Sequence, residues 1–137
     1  MNGAKTGKKI LVVDDESDVV TYLSTLFQEN GYDTVSAADG NEAMEKLKTE
    51  KPDLISLDIS LPKKSGVKFY REIKGDPDTR NVPVVIVTAI TGYGDDREAF
   101  KRFISTRRQV PPPEGFILKP IDTKELLETV RRLLSGG

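Results

Sequence analysis

Three carboxylates, a hydroxyl and an ammonium stand directly after short apolar runs. Asp14-Asp15 follows Ile10–Val13, Asp58 follows Leu54–Leu57, Thr88 follows Val84–Val87 and Lys119 follows Gly115–Leu118. Brought to one place, three carboxylates repel and demand a counter-charge. The chain has no histidine and no cysteine. That excludes imidazole and thiolate ligands, a Ser-His nucleophile pair and a disulfide frame. What remains is a hard cation on oxygen ligands, for which Mg²⁺ is the natural choice. Such an ion and a mobile lysine would neutralise a phosphoryl group during in-line transfer, and Thr88 would offer a small donor. The nucleophile would be a carboxylate, which forms an acyl phosphate.

That chemistry requires a scaffold that carries several strand ends to one edge. Ile10–Val13, Leu54–Leu57 and Val84–Val87 are apolar without alternation, the pattern of strands buried on both faces of a parallel sheet. Asp33–Ser36 and Gly115–Leu118 are weaker strand candidates. Between them, apolar residues recur at helical spacing: Val19, Val20, Leu23, Leu26 and Phe27, then Ala43, Met44 and Leu47 behind an Asp39 cap with Glu42. Val67, Tyr70 and Ile73 predict a third helix, and Ala99, Phe100, Phe103 and Ile104 a fourth. The last helix begins with the box Asp122/Glu125 and a staple of Ile121 on Leu126, and buries Leu127, Val130, Leu133 and Leu134. Five strand–helix alternations predict an α/β fold, a doubly wound five-stranded parallel sheet of flavodoxin-like order 2-1-3-4-5 with helices on both faces. Ligands of such sheets bind beyond the carboxyl ends of the strands, where the five chemical residues stand.

The 137 residues suit one domain with a sizeable core. Residues 1–8 read as a flexible N-terminal segment, 9–134 as the domain and 135–137 as a tail. Basic and acidic residues number 21 and 22, a net charge of −1, which gives no electrostatic footprint for nucleic acid or membrane. The N-terminus lacks the apolar core of a secretion signal and no run approaches a membrane span, so a cytoplasmic location is expected. No DNA-binding or catalytic output domain is expected after Ser135-Gly-Gly137.

The ordered set Asp14-Asp15, Asp58 within LDISLPKKSG, Thr88-Ala89 and Lys119-Pro120 resembles the receiver domains of two-component response regulators from about Lys8 to Leu134. The resemblance implies that Asp58 is the phosphoacceptor and that Asp15 ligates Mg²⁺ directly, with Asp14 acting through water and the Ser60 backbone carbonyl as a further ligand. It implies that Thr88 turns inward to the phosphoryl group, that Lys119 pairs with it, that Phe116 is a switch aromatic and that the Lys119-Pro120 bond is a candidate for cis. It also implies a phosphorylation-dependent signalling switch without enzymatic turnover of its own. The phosphoryl donor would be a sensor histidine kinase or histidine phosphotransfer protein, and a downstream protein would bind the face of the fourth helix, fifth strand and fifth helix. A phosphorylation-dependent dimer is a further expectation.

Single residues admit plainer readings: Asp14-Asp15 as helix-start caps, Thr88 as a β-branched strand residue, Lys119 as a surface lysine, Phe116 as core, Tyr93 as an exposed loop aromatic. Ser105–Gly115, with three prolines, departs from the family's short turn. It reads either as a rigid spacer or, with Lys101, Arg102, Arg107 and Arg108, as a partner-specific basic surface. Ile90, two residues after Thr88, is apolar and cannot orient an attacking water, so slow self-dephosphorylation is expected. Three other functions compete. A constitutive binding module would not use Asp58. An aspartyl-phosphate phosphatase would need a second aspartate where Ser60 stands. A flavin site would need a phosphate-cradling loop after the first strand, and none is present.

Overall fold

The computed structural model describes residues 6–58, 66–88 and 113–135. Among the described residues, five strands and four helices succeed one another: β1 (Lys9–Val13), α1 (Ser17–Glu29), β2 (Asp33–Ala37), α2 (Gly40–Glu50), β3 (Leu54–Leu57), α3 (Gly66–Gly75), β4 (Val84–Thr88), β5 (Gly115–Leu118) and α4 (Thr123–Ser135). The strands pair in parallel in the order β2-β1-β3-β4-β5, the predicted doubly wound topology. The expected helix over Ala99–Ile104, with Tyr93, Ile90, the basic residues Lys101, Arg102, Arg107 and Arg108, and Ser60, lies outside the described residues.

Burial explains why three strands read as unbroken apolar runs. Along β1, Leu11 and Val13 join the core on the α2/α3 side, whereas Ile10 and Val12 join the core against α1 and α4. The same division separates Ile55 and Leu57 from Leu54, and Val84 and Ile86 from Val85 and Val87. Side chains alternate between faces every residue, so a strand covered on both faces has little place for polar residues, buried Ser56 of β3 being an exception. Leu23 and Phe27 of α1, and Leu126 and Val130 of α4, fill one face; Ala43 and Leu47 of α2, and Phe69, Tyr70 and Ile73 of α3, fill the other.

The helix starts follow their sequence signals, with one adjustment. Asp39 accepts from the Glu42 N–H at 2.9 Å, but the Glu42 carboxylate reaches the Ala38 N–H at 2.7 Å, one residue beyond the expected return partner. Asp122 caps α4 by accepting from the Glu125 N–H at 3.1 Å. Lys51, following α2, takes a left-handed conformation with φ 48°, a common way to end a helix. The Lys119-Pro120 bond is cis.

Candidate functional site

The carboxyl ends of β1, β3 and β5 meet as the alternation predicted. The Asp14 N–H donates to Ala37 O at 3.1 Å, and the Asp58 N–H donates to Val13 O at 2.9 Å. The sheet ladder thus continues one residue past each strand and seats Asp58 beside Asp14. Both side chains are nearly closed off from solvent, with Asp14 2% and Asp58 4% exposed. An ionised carboxylate at that depth requires a partner.

Lys119 provides one. From the end of β5 its Nζ lies 3.1 Å from Asp14 Oδ2 and 3.6 Å from Asp58 Oδ2. It also lies 3.4 Å from Glu16 Oε1. Glu16 is the residue that sequence reasoning missed. The Asp14 Oδ1 accepts from the Glu16 N–H at 2.9 Å, so the chain turns tightly before α1. Ligand oxygens of Asp14, Glu16 and Asp58 all lie within 4.8 Å of one another. The available signal was the unbroken acidic run Asp14-Asp15-Glu16. Asp15 itself is exposed and stands outside that group.

The electrostatics follow from burial and crowding. Burial pushes the Asp14 carboxyl above its ordinary value and the Asp58 charge adds to this, against the pull of the Glu16 N–H and Lys119. Burial works against the Lys119 ammonium, yet the Asp58 and Asp14 carboxylates outweigh it and raise its pKa. Among the described residues, three carboxylates face one ammonium there, an arrangement that suits a hard divalent cation.

Thr88 ends β4 in register with Leu118, and Ile86 is in register with Phe116; the Thr88 side chain lies outside the described residues. Phe116 is 6% exposed and packs in the core on the α2/α3 side. Beside Lys119 opens a shallow cleft of about 300 Å³ lined by Asp18, Val19, Tyr22, Lys119, Pro120 and Ile121. Tyr22 is 45% exposed, the one large exposed hydrophobic among the described residues.

Residues 10–131 match the model of the response regulator receiver domain. The chain belongs to the response regulator receiver domain family. The curated relative Rrf1 of Nitratidesulfovibrio vulgaris is 35% identical over 127 residues, covering 93% of this chain and 83% of the relative. The receiver domain of a signal transduction histidine kinase from Syntrophus aciditrophicus has 33% identity and a TM-score of 0.80, over 95% of this chain and 92% of that one. The receiver domain of a sensor histidine kinase from Pseudomonas aeruginosa PAO1, with a magnesium ion coordinated in its active site cleft, has 26% identity and a TM-score of 0.78, over 96% of this chain and 100% of that one. The chain is therefore a receiver domain of two-component signalling, and no helix among its described residues is long and apolar enough to cross a membrane.

Proposed function

We propose that this receiver accepts a phosphoryl group on Asp58 from a phosphohistidine, carried by a sensor histidine kinase or a phosphotransfer protein, and changes its protein contacts in response. The observation that carries the reading is the convergence of Lys119 on the buried pair Asp14 and Asp58. An Asp58 carboxylate oxygen attacks phosphorus, the P–N bond breaks, and its electron pair stays with the imidazole, which takes up a proton. The product is an aspartyl phosphate.

Three mutually close carboxylates in a pocket without nitrogen or sulfur ligands fit Mg²⁺, and a receiver of the same fold holds that ion in its cleft. Asp14, Asp58 and Glu16, with Asp15 and the Ser60 carbonyl, are the residues that would hold it. When bound, the ion neutralises charge on the phosphoryl oxygens. Lys119, already within 3.6 Å of Asp58, pairs with the phosphoryl group as it arrives. The Thr88 hydroxyl donates to it from the neighbouring strand.

Thr88 and Phe116 then form the switch. They sit on paired strands, with Thr88 opposite Leu118 and Phe116 two residues earlier, so an inward turn of the one frees room for the other. The response reaches a downstream protein, or a second copy, through β5, α4 and the predicted helix over Ala99–Ile104. The donor protein docks at the cleft of Val19, Tyr22, Pro120 and Ile121, because Lys119 lines both the cleft and the site. The chain works in the cytoplasm, as the domain of residues 9–134. Ile90 makes the phosphoryl group long-lived, and Ile90→Glu shortens its lifetime.

Intact-mass spectrometry after incubation with acetyl phosphate tests the reading. One added phosphoryl group, dependent on Mg²⁺ and absent from Asp58→Asn, is the expected result. A phosphohistidine donor that leaves Asp58 unmodified, with partner contacts unchanged in Asp58→Asn, would point to a constitutive binding module.

A further inference from the structure

At the opposite end of the sheet from the carboxylates, a lysine is buried whole. Lys74, in the last turn of α3, has a side chain 1% exposed. Its Nζ donates to Arg80 O at 3.3 Å and Val82 O at 3.2 Å, in the connection from α3 to β4. It also meets both carboxylate oxygens of Glu114, at 3.0 and 2.9 Å. Glu114 is the residue immediately before β5. Its Oε1 accepts from the Val84 N–H at 2.8 Å, and its own N–H donates to Val84 O at 3.1 Å. Glu114 is thus clasped to the first residue of β4 by both backbone and side chain, with Lys74 behind it.

β5 is a four-residue strand that, among the described residues, pairs only with β4. Its sideways fit is already tight, since a Cβ on Gly115 would lie 2.8 Å from Thr129 Cγ2 and 3.1 Å from Val85 Cγ2. Its position along its own axis has two anchors. One is the Lys74–Glu114 clasp just before Gly115; the other is the cluster of Lys119 with Asp14, Glu16 and Asp58 just after Leu118. A strand of this length spans only about 13 Å, so a shift at one anchor is carried to the other. A buried ion pair adds little net stability over an apolar filling of the same volume, but it specifies one geometry. A lysine with four fixed acceptors on two chain segments does that here.

We propose that Lys74 and Glu114 are positioning residues for Lys119, setting the height of β5 at which its ammonium reaches Asp58. The inference rests on the reading of Lys119 as the group that pairs with the arriving phosphoryl.

The test follows the rate of Asp58 phosphorylation by acetyl phosphate at saturating Mg²⁺, below every variant's melting transition, with Mg²⁺ affinity from calorimetry. Lys74→Met keeps the buried stem and removes the charge. It is expected to slow phosphorylation about tenfold, since small misplacements near a reacting group are costly, and to leave Mg²⁺ affinity within about twofold because the carboxylates are undisturbed. A merely structural role would lower the melting temperature and leave the rate of the folded protein alone. Because Lys74 acts through Lys119, adding Lys74→Met to Lys119→Ala is expected to slow it no further. Should Lys74→Met unfold at the assay temperature, Glu114→Gln, which retains the acceptor for the Val84 N–H, carries the same comparison. Wild-type rates in Lys74→Met and Glu114→Gln beside a slow Lys119→Ala, or losses that multiply in the double variant, overturn the positioning role alone. A wild-type rate in Lys119→Ala overturns the role given to Lys119 and this inference with it.

Discussion

Lys119 Nζ stands 3.1 Å from Asp14 Oδ2, a contact between residues 105 positions apart in the chain. Asp14 is the more buried partner, at 2% side-chain exposure against 17% for the lysine. The pair holds the Lys119 ammonium over the acidic pocket. It does not fully compensate the pocket, because the Asp14 carboxyl remains above its ordinary value.

A pH dependence follows. Asp14 is raised from 3.8 by burial and then by Asp58. Its contribution to stability is therefore present below 3.8 and is lost as pH rises through its higher folded value. Above that range the buried Asp14 carboxyl weakens the metal-free fold. Asp14→Asn is expected to raise the melting temperature of the chelator-treated protein at pH 7 and to reduce the advantage gained by mild acidification. Calorimetric scans across the acidic range check both. Lys119, raised above 10.5 by Asp58 and Asp14 once burial is overcome, keeps its contribution throughout this range and loses it only in strong alkali.

Magnesium should act in the opposite direction to that repulsion. Bound only by the folded pocket, Mg²⁺ at a hundred times its dissociation constant is expected to stabilise the wild-type protein by about 2.7 kcal/mol. Asp58→Asn and Asp14→Asn should lose most of this gain. Urea denaturation with and without the ion makes the comparison.

The cleft beside Lys119 predicts a split between phosphodonors. Tyr22→Ala removes its one exposed large aromatic. Transfer from a phosphohistidine protein is expected to slow about tenfold, the loss typical of a buried aromatic anchor. Phosphorylation by acetyl phosphate should be unchanged. Parallel time courses with the two donors decide it.

Stability should respond sharply to the Lys74–Glu114 pair. Glu114→Ala leaves the Lys74 ammonium in a 1% exposed position without its counter-charge and is expected to cost about 3 kcal/mol. The double variant with Lys74→Met should recover much of that loss, since no charge is then left buried. Chemical denaturation of the three proteins reports the coupling.

Tyr70 gives an alkaline signature. Burial, and then the charge of Glu114, push its phenol well above 10.0. The stability held in the neutral phenol is present below 10.0 and is lost as pH rises through the folded value. In an absorbance titration, Tyr70 is expected to ionise only as the fold opens, and Tyr70→Phe should remove that late phenolate step.

Much of this could be read along the chain. Ile10–Val13, Leu54–Leu57 and Val84–Val87 mark strands covered on both faces, because double burial removes nearly every polar position from a strand, Ser56 aside. The residue after each run is then bound for the ligand edge, which is why Asp14 and Asp58 were legible at once, with Lys119 following the weaker candidate Gly115–Leu118. Helix starts at Asp39 and Asp122 were legible too, since a cap is a contact between near neighbours.

Tertiary structure decided what depends on distance and direction across the sheet. Asp14 turned into the pocket, Asp15 turned out, and Glu16 was folded back toward Lys119 by a tight turn. An acidic triplet has no periodicity that says which member faces in. Lys74 and Glu114, 40 residues apart, carry no local signal for each other. Phe116 was placed in the core by packing that its own sequence neighbours do not specify. Spacing encodes contacts within an element; a contact between elements exists only once the sheet has set their separation.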